Sequence, residues 1–359
     1  MNTCASPLGV ALVGVGMVSP TYVAGLAALR EKLVLRGVMA RSTSSADAFV
    51  HQHADVFAPA TLRVYNSAAE IAADPAVDIV IITTPPNARL ELLSVLAEAG
   101  KPILLEKPLE RTYAAAEHLC DICDASGVPL GVVLQHRVRP SAQQLMKLLA
   151  SQTAGELRAV EIAVPWWREQ AYYDEPGRGS YARDGGGVLI SQAIHTLDLA
   201  LQFTGPVSSV TALAATTGFH RMESEDFVSA GVRFANGAVG SLFASTSCFP
   251  GRTESIRFYY EEVSILLESS VLRLDWRDGR VEELGVASGS GSGADPMAFT
   301  ADWHTTVIED FCAAVVAGSA PPVSARSALP VHGLIAALEA SAASGHTVHL
   351  ADGKPVPDT

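Results

Sequence analysis

Long hydrophobic runs are missing from this sequence. Stretches such as Val77 to Ile82 reach strand length and stop well short of the roughly 20 apolar residues a bilayer requires. Three residues ahead of Cys4 are too few for the apolar segment of a secretory signal. The expectation is a soluble, cytoplasmic protein with no membrane partner. Cysteine is scarce too: Cys4, Cys120, Cys123, Cys248 and Cys312 in 359 residues argue against a disulfide framework. Cys120 and Cys123 have C-x-x-C spacing, yet no second pair exists and both fall in the apolar-periodic stretch Ala114 to Ala125, so they read as core helix residues. Basic residues are outnumbered, 25 against 38 acidic, for a net charge of -13, which repels nucleic acid. His51 and His53 lack partners at ligand spacing and read as surface, leaving no metal site. No repeat of 20 to 50 residues is present.

What is there suits a folded chain of two domains: 48% hydrophobic and 18% charged residues fit neither disorder nor a coiled coil. Up to residue 136, strand-like runs (Gly9 to Val13, Leu33 to Met39, Asp78 to Ile82, Ile103 to Leu105, Pro129 to Gln135) alternate with helical patterns (Thr21 to Lys32, Ser45 to His53, Ala88 to Ala99, Ala114 to Ala125). That rhythm predicts an α/β fold, a Rossmann-type doubly wound parallel sheet over residues 1–136. Residues 137–359 predict an α+β domain. A helix at Ser141 to Ala150 and a strand at Leu157 to Trp167 lead to a long irregular stretch, then a buried helix from Val188 to Phe203. Several strands up to about Glu283 then form a large, mainly antiparallel sheet, and two helices, Asp302 to Ala317 and Ser327 to Ser344, close the chain. Ala235-Asn236-Gly237 predicts a type I′ hairpin, and Ser288 to Gly293 a mobile loop.

Gly14-Val15-Gly16-Met17-Val18-Ser19 follows the first strand and opens the first helix. In that context Gly14 makes a tight turn and Gly16 lets the backbone, with Met17 and Val18, approach a pyrophosphate resting on the helix N-terminus. The plainer alternative is an ordinary strand-to-helix turn. The second strand ends Met39-Ala40-Arg41-Ser42-Thr43, without the carboxylate that binds the ribose 2′-hydroxyl of NAD. Arg41 and Ser42 suit a 2′-phosphate, so NADP is the preferred cofactor and NAD the alternative; Arg41 could instead stack on adenine. Thr83, Thr84, Pro85 and Asn87 end the next strand, at the crevice edge. Glu106-Lys107-Pro108 sets a lysine at a strand's carboxyl end, where the nicotinamide would lie, and Gln135 follows the domain's last strand. His136 and Arg137 either line the pocket or pack between the domains.

These features, with Pro85-Pro86, Gly185-Gly186-Gly187, His195 and Asp198 in order over nearly the whole chain, resemble the glucose-fructose oxidoreductase, inositol dehydrogenase and MocA family. The resemblance implies that Lys107 contacts the substrate hydroxyl beside the nicotinamide and that the peptide before Pro108 is cis. It also implies that His195 takes part in proton transfer. Two positions depart from the family pattern. Ser191 stands where an acid or amide is common, so no carboxylate assists His195, and Arg89 replaces a usual histidine. On a regular helix Ser191, His195 and Asp198 share one face, with Asp198 read as a structural partner.

Trp167, Arg168, Tyr173 and Arg178 lie in a segment rich in rings and guanidinium groups. They predict a carbohydrate floor together with Lys107, Ser191 and His195, or, equally well, a subunit interface. The leading expectation is therefore an NAD(P)-dependent sugar or polyol dehydrogenase acting on a CH-OH group, a homo-oligomer through its C-terminal sheet. The alternatives are a dinucleotide-sensing regulator without catalysis, and redox-assisted cleavage of a glycoside.

Overall fold

The computed structural model describes residues 6–268, 270–285 and 300–356; Cys4 and the tract Ser288 to Gly293 lie outside them. Two compact units are present. The first comprises Met1–Glu110, Ala114–Val133 and Ala301–Ser327, and the second Arg111–Tyr113, Leu134–Thr300 and Ala328–Thr359. Among the described residues no helix is long and apolar enough to cross a membrane.

In the first stretch of chain β1 (Leu8–Val13), α1 (Ser19–Ala28), β2 (Leu33–Met39), α2 (Thr43–Phe57), β3 (Arg63–Val64), α3 (Ala68–Ala73), β4 (Ile79–Ile82), α4 (Arg89–Glu98), β5 (Ile103–Glu106), α5 (Tyr113–Ala125) and β6 (Leu130–Val133) alternate. The strands are all parallel, in the order β3-β2-β1-β4-β5-β6. Every residue of β4, β5 and β6 is buried, which is why those runs are apolar without alternation. Strand order reverses between β1 and β4, so the loops leaving their carboxyl ends border the crevice of a doubly wound sheet. The sequence pattern predicts five of these strands and omits two-residue β3 and short α3. A signal for α3 exists, because the Ser67 hydroxyl caps it by accepting from Glu70 N at 3.2 Å. Cys120 and Cys123 are buried on α5, and burial pushes both thiols up to about 12, as fits core residues.

The second unit holds α6 (Pro140–Ala150), β7 (Leu157–Pro165), α7 (Gln170–Tyr173), α8 (Ile194–Thr204), β8 (Val207–Ala215), β9 (Phe227–Phe234), β10 (Val239–Ser245), β11 (Ser255–Tyr260), β12 (Val263–Glu268), β13 (Val271–Trp276) and β14 (Val281–Leu284). The sheet order begins β14-β13-β12-β11-β7-β10-β9-β8 and continues beyond β8 with two short strands from the C-terminal part of the chain, and β7 with β10 is its parallel pair. Alternation along β9 buries Val228, Ala230, Val232 and Phe234 and turns Ser229, Gly231 and Arg233 outward. Two local expectations are corrected. At the β9–β10 hairpin only Gly237 has positive φ (89°), with Gly237 N bonded to Phe234 O. A type I′ turn needs positive φ at Asn236 too; the chain instead turns through Ala235 and Asn236 and leaves through Gly237. The expected helix from Val188 is also not uniform, since Leu189–Ala193 forms a π-turn before α8 begins.

The chain ends with α9 (Asp302–Ala317), α10 (Ala325–Ser344), β15 (Val348–Ala351) and β16 (Lys354–Pro355). The sequence pattern assigns everything beyond 136 to the second domain, whereas α9 belongs to the first unit. Its Trp303, Val307, Ile308 and Phe311 are buried. Glycines make room for it: the position of a Cβ on Gly25 of α1 lies 3.2 Å from Thr305, and that on Gly131 of β6 lies 2.6 Å from the Phe311 ring. A helix seated so closely on α1 and β6 completes the first core from far along the chain, Asp302 following Val133 by a separation that local periodicity does not encode.

Candidate active site

The loop after β1 is built by close approach. Gly14 has φ +102°, and a Cβ there would stand 2.8 Å from Thr83 Oγ1 and 2.9 Å from Thr84 N. Thr83 returns a hydrogen bond from its hydroxyl to Gly14 O at 2.9 Å, tying the loop to the end of β4. Around Gly16 the space within 4 Å of a Cβ is empty. Val18 gives α1 no side-chain cap, and its first turn carries no acidic residue. Such a helix start is a place for an anion, because its amides carry partial positive charge. Thr84 Oγ1 is buried without a partner among the described residues. Open space at Gly16, an uncapped helix start and an unsatisfied hydroxyl at the neighbouring loop all fit a dinucleotide.

Other predicted nucleotide residues leave the same carboxyl edge. Met17 is exposed and Val18 half-buried; Arg41 and Ser42 are exposed after β2, with Ser42 capping α2 by accepting from Ser45 N at 3.2 Å. Pro85 and Asn87 are exposed after β4. Gln135, by contrast, belongs to the second unit, in the 3-10 turn Gln135–Val138. Its side chain is buried, and Oε1 has no partner among the described residues.

Glu106 ends β5 as a buried carboxylate that accepts from the Tyr22 hydroxyl at 2.6 Å. Burial pushes its carboxyl up, while the adjacent Lys107 ammonium opposes the shift. Lys107 is half-buried, and Lys107-Pro108 is cis. Two residues that sequence reasoning left without a role stand close by. Arg89 is 1% exposed and donates to Thr84 O at 2.7 and 3.1 Å, to Pro108 O, and to Leu109 O at 3.3 Å. It thus fastens the loop after β4 to the loop carrying Lys107, and burial brings its guanidinium down to about 10. His304 on α9 is buried, and burial with the Lys107 charge lowers it to about 4, so it is neutral. Its ring meets the edge of Tyr22 at 5.8 Å.

In the second unit His195 opens α8, and its ring lies 4.9 Å from that of His136 with planes 31° apart. Asp198 is an ion partner, as expected: Arg137 donates to it from Nε at 2.7 Å and from Nη2 at 2.6 Å. Ser191 lies in the π-turn rather than on the regular helix, so the predicted common face with His195 and Asp198 does not carry through it. Its hydroxyl donates to Gly187 O at 2.5 Å. The glycine triplet is explained by packing. A Cβ on Gly185 would lie 2.6 Å from Arg111 Cα, and one on Gly187 would collide with Glu225 O. Glu225 holds this segment by accepting from Gly187 N at 3.0 Å and Leu189 N at 3.1 Å.

Several predicted substrate residues pack against other side chains of this unit. Arg168 is 2% exposed and stacks on Trp166 and Tyr172. Tyr173 is buried with its hydroxyl 2.7 Å from Thr246 Oγ1, and Arg178 lies over Tyr172 and pairs with Glu175 at 2.6 Å. A signal missed in the sequence is His220, which bridges Asp226 Oδ2 (2.7 Å) and Arg168 O (2.8 Å). Burial disfavours its charge, but the acceptors at both nitrogens outweigh burial and raise its pKa. Trp167 remains half-buried, edge-on to exposed Phe219 and Phe249. Among the described residues no three His, Cys, Asp or Glu side chains converge as metal ligands.

Comparison with known proteins follows this division. Residues 8–134 match the model of an oxidoreductase family with an NAD-binding Rossmann fold, and residues 142–266 match the GFO/IDH/MocA C-terminal domain. A D-glucoside 3-dehydrogenase of Escherichia coli (strain K12) is 30% identical over 212 residues, 58% of this chain and 57% of that protein. A levoglucosan dehydrogenase of Pseudarthrobacter phenanthrenivorans is 27% identical over 208 residues, 52% of this chain and 53% of that protein. The chain spans about half the length of the curated relatives it matches. Among solved structures, the WlbA dehydrogenase from Bordetella pertussis in complex with NADH and UDP-GlcNAcA has a TM-score of 0.80 at 25% identity, covering 96% of this chain and 99% of that one.

Proposed function

We propose, for a chain that belongs to the glucose-fructose oxidoreductase, inositol dehydrogenase and MocA family, that it is a nicotinamide-dependent dehydrogenase of a sugar, a polyol or a derivative of one. The observation that carries this reading is the carboxyl edge of the first sheet. An uncapped, carboxylate-free helix start after β1 and the half-buried Lys107 after β5 both leave that edge. A bound nicotinamide would supply the hydride chemistry. Lys107 would hold the substrate oxygen by donating to it and stabilise the negative charge that develops there. His195 would take the hydroxyl proton, or return it in the reverse direction, contributing on the order of 10² to 10⁴-fold. The carbohydrate class is supported by the similarity to the D-glucoside 3-dehydrogenase and the levoglucosan dehydrogenase named above.

For the cofactor the finer reading is NADP. Arg41 and Ser42 are exposed at the end of β2, where no carboxylate follows until Asp47, and a guanidinium fork suits a 2′-phosphate. Self-association through the open face of the second sheet is supported by Leu213 and Val239, which stand 59% and 44% exposed. Leu213→Lys should shift the mass measured by light scattering toward the monomer, and an unaltered mass would reject that face.

The test starts from thermal stabilisation by NADP and NAD, followed by turnover with sugars, polyols and sugar acids. Arg41→Ala should weaken NADP far more than NAD, and an equal effect on both would defeat the NADP preference. Lys107→Met should abolish turnover and keep the nucleotide-induced shift; near-normal turnover would rule out its assignment.

A further inference from the structure

Ser191, four residues before His195, offers no carboxylate, and the second unit sets another imidazole against the His195 ring. We infer that His136 is the positioning residue for His195, with Arg139 and Glu254 setting its ring; the inference rests on the reading of His195 as the proton-transfer group. Four observations carry it. The two imidazoles lie against each other, tilted, with 4.9 Å between centroids and 31° between planes. Arg139 Nη2 is hydrogen-bonded to His136 Nε2. Arg139 is itself held by Glu254 Oε1 at 3.0 Å, and both groups are buried, at 2% and 4% exposure. Finally, the turn Gln135–Val138 is anchored to α8 by the two-point bond from Arg137 to Asp198, one turn beyond His195.

The protonation state of His136 follows from donor chemistry. A guanidinium has only N–H groups to offer, so Nε2 must present its lone pair and the ring proton must sit on Nδ1. Protonating His136 would turn an N–H against the Arg139 fork, next to a cation. The Arg139 donor therefore favours the neutral form of His136. The charged groups of this unit facing the pair from the adjoining turn, helix and strand-end are Arg137, Arg139, Asp198 and Glu254. They form two ion pairs, Arg137 with Asp198 and Arg139 with Glu254. Contact with a ring that is fixed in this way limits rotation of the His195 imidazole, and a general base must be held within hydrogen-bond reach of the proton it takes. Ser191 directs its hydroxyl to Gly187 O and, being uncharged, supplies no carboxylate.

The experiment uses the full chain with saturating dinucleotide. His136→Ala should lower kcat at least tenfold, leave the KM for dinucleotide within twofold, and raise the substrate deuterium isotope effect as the chemical step becomes limiting. His136→Phe, which keeps a flat ring, should recover most of that kcat. A His136→Ala enzyme with kcat within twofold of the wild type, or a Phe variant no better than Ala, overturns the inference. Nitrogen-15 correlation spectra of the wild-type imidazoles give a readout independent of turnover and of variant folding. His136 should show the neutral Nδ1–H form throughout pH 5 to 9, approximately the range where a free histidine titrates, and Arg139→Met should abolish that signature. A His136 that titrates in the wild type overturns the inference as well. Absence of turnover with every carbohydrate would count against the dehydrogenase reading alone, because the spectra still decide the state of His136.

Discussion

Removing the Asp198 carboxylate is the sharpest test of how the second unit is held together. Arg137 and Asp198 are 8% and 2% exposed and joined by two hydrogen bonds of 2.7 and 2.6 Å, linking the turn Gln135–Val138 to α8 across 61 residues of chain. Asp198→Ala leaves a buried guanidinium without that counter-charge, a change that costs about 3–5 kcal/mol. Unfolding entropy near about 2.1 cal/mol/K per residue gives about 0.75 kcal/mol/K if all 359 residues melt together. The expected fall in Tm is then about 4–7 °C on that entropy scale. If the second unit, with about 200 residues, melts by itself, the same penalty gives about 7–12 °C. Differential scanning calorimetry separates the two cases, since only the second moves one transition and spares the other. The double variant Arg137→Met/Asp198→Leu should regain most of the loss, because a buried ion pair is replaceable by apolar groups of similar volume. A single-variant shift below about 2 °C, or a double variant no more stable than the single one, would refute the assignment.

Three further outcomes are expected. Glu339 is pushed up to about 8 by burial and by the neighbouring Glu225 carboxylate; with the folded value above the unfolded one, its ionisation removes stability as pH rises from about 4.5 to 8. Glu339→Gln should therefore gain Tm over the wild type progressively across that interval, and a pH-independent difference would contradict the sign. Gly16→Ala meets open space and should keep its Tm while weakening dinucleotide binding, whereas Gly187→Ala collides with Glu225 O and should lose about 1–3 kcal/mol or more; melting curves with and without dinucleotide distinguish them. Arg89→Met removes the bridge among Thr84, Pro108 and Leu109, and should lower Tm and turnover together. Arg89→Lys should fail to rescue either, because one ammonium cannot span those carbonyls; full rescue by Lys would show that charge alone is needed there.

The first sheet was legible almost strand by strand. Runs such as Ile79–Ile82 are apolar throughout because both faces of a parallel strand are covered, and the glycine loop after β1 carries its constraint in adjacent residues. Two-residue β3 left no pattern to read, since it exists by pairing with β2. Asn236-Gly237 marked a hairpin correctly but not its turn type, which depends on the φ of a single residue. Composition does not say which way a side chain points, and the burial of Arg168 and Tyr173 became visible only in the fold.

By itself, then, the order of residues determined the doubly wound sheet, the loops at its reversal point and the position of Lys107 at a strand end. Those features are set by periodicity and by neighbours a few residues apart. Tertiary structure alone decided that α9 completes the first core, that Arg89 ties two loops together and that Arg139, 115 residues from Glu254, fixes the ring against His195. Such contacts join segments distant in the chain, and their geometry comes into being only when the burial of many side chains has brought those segments together.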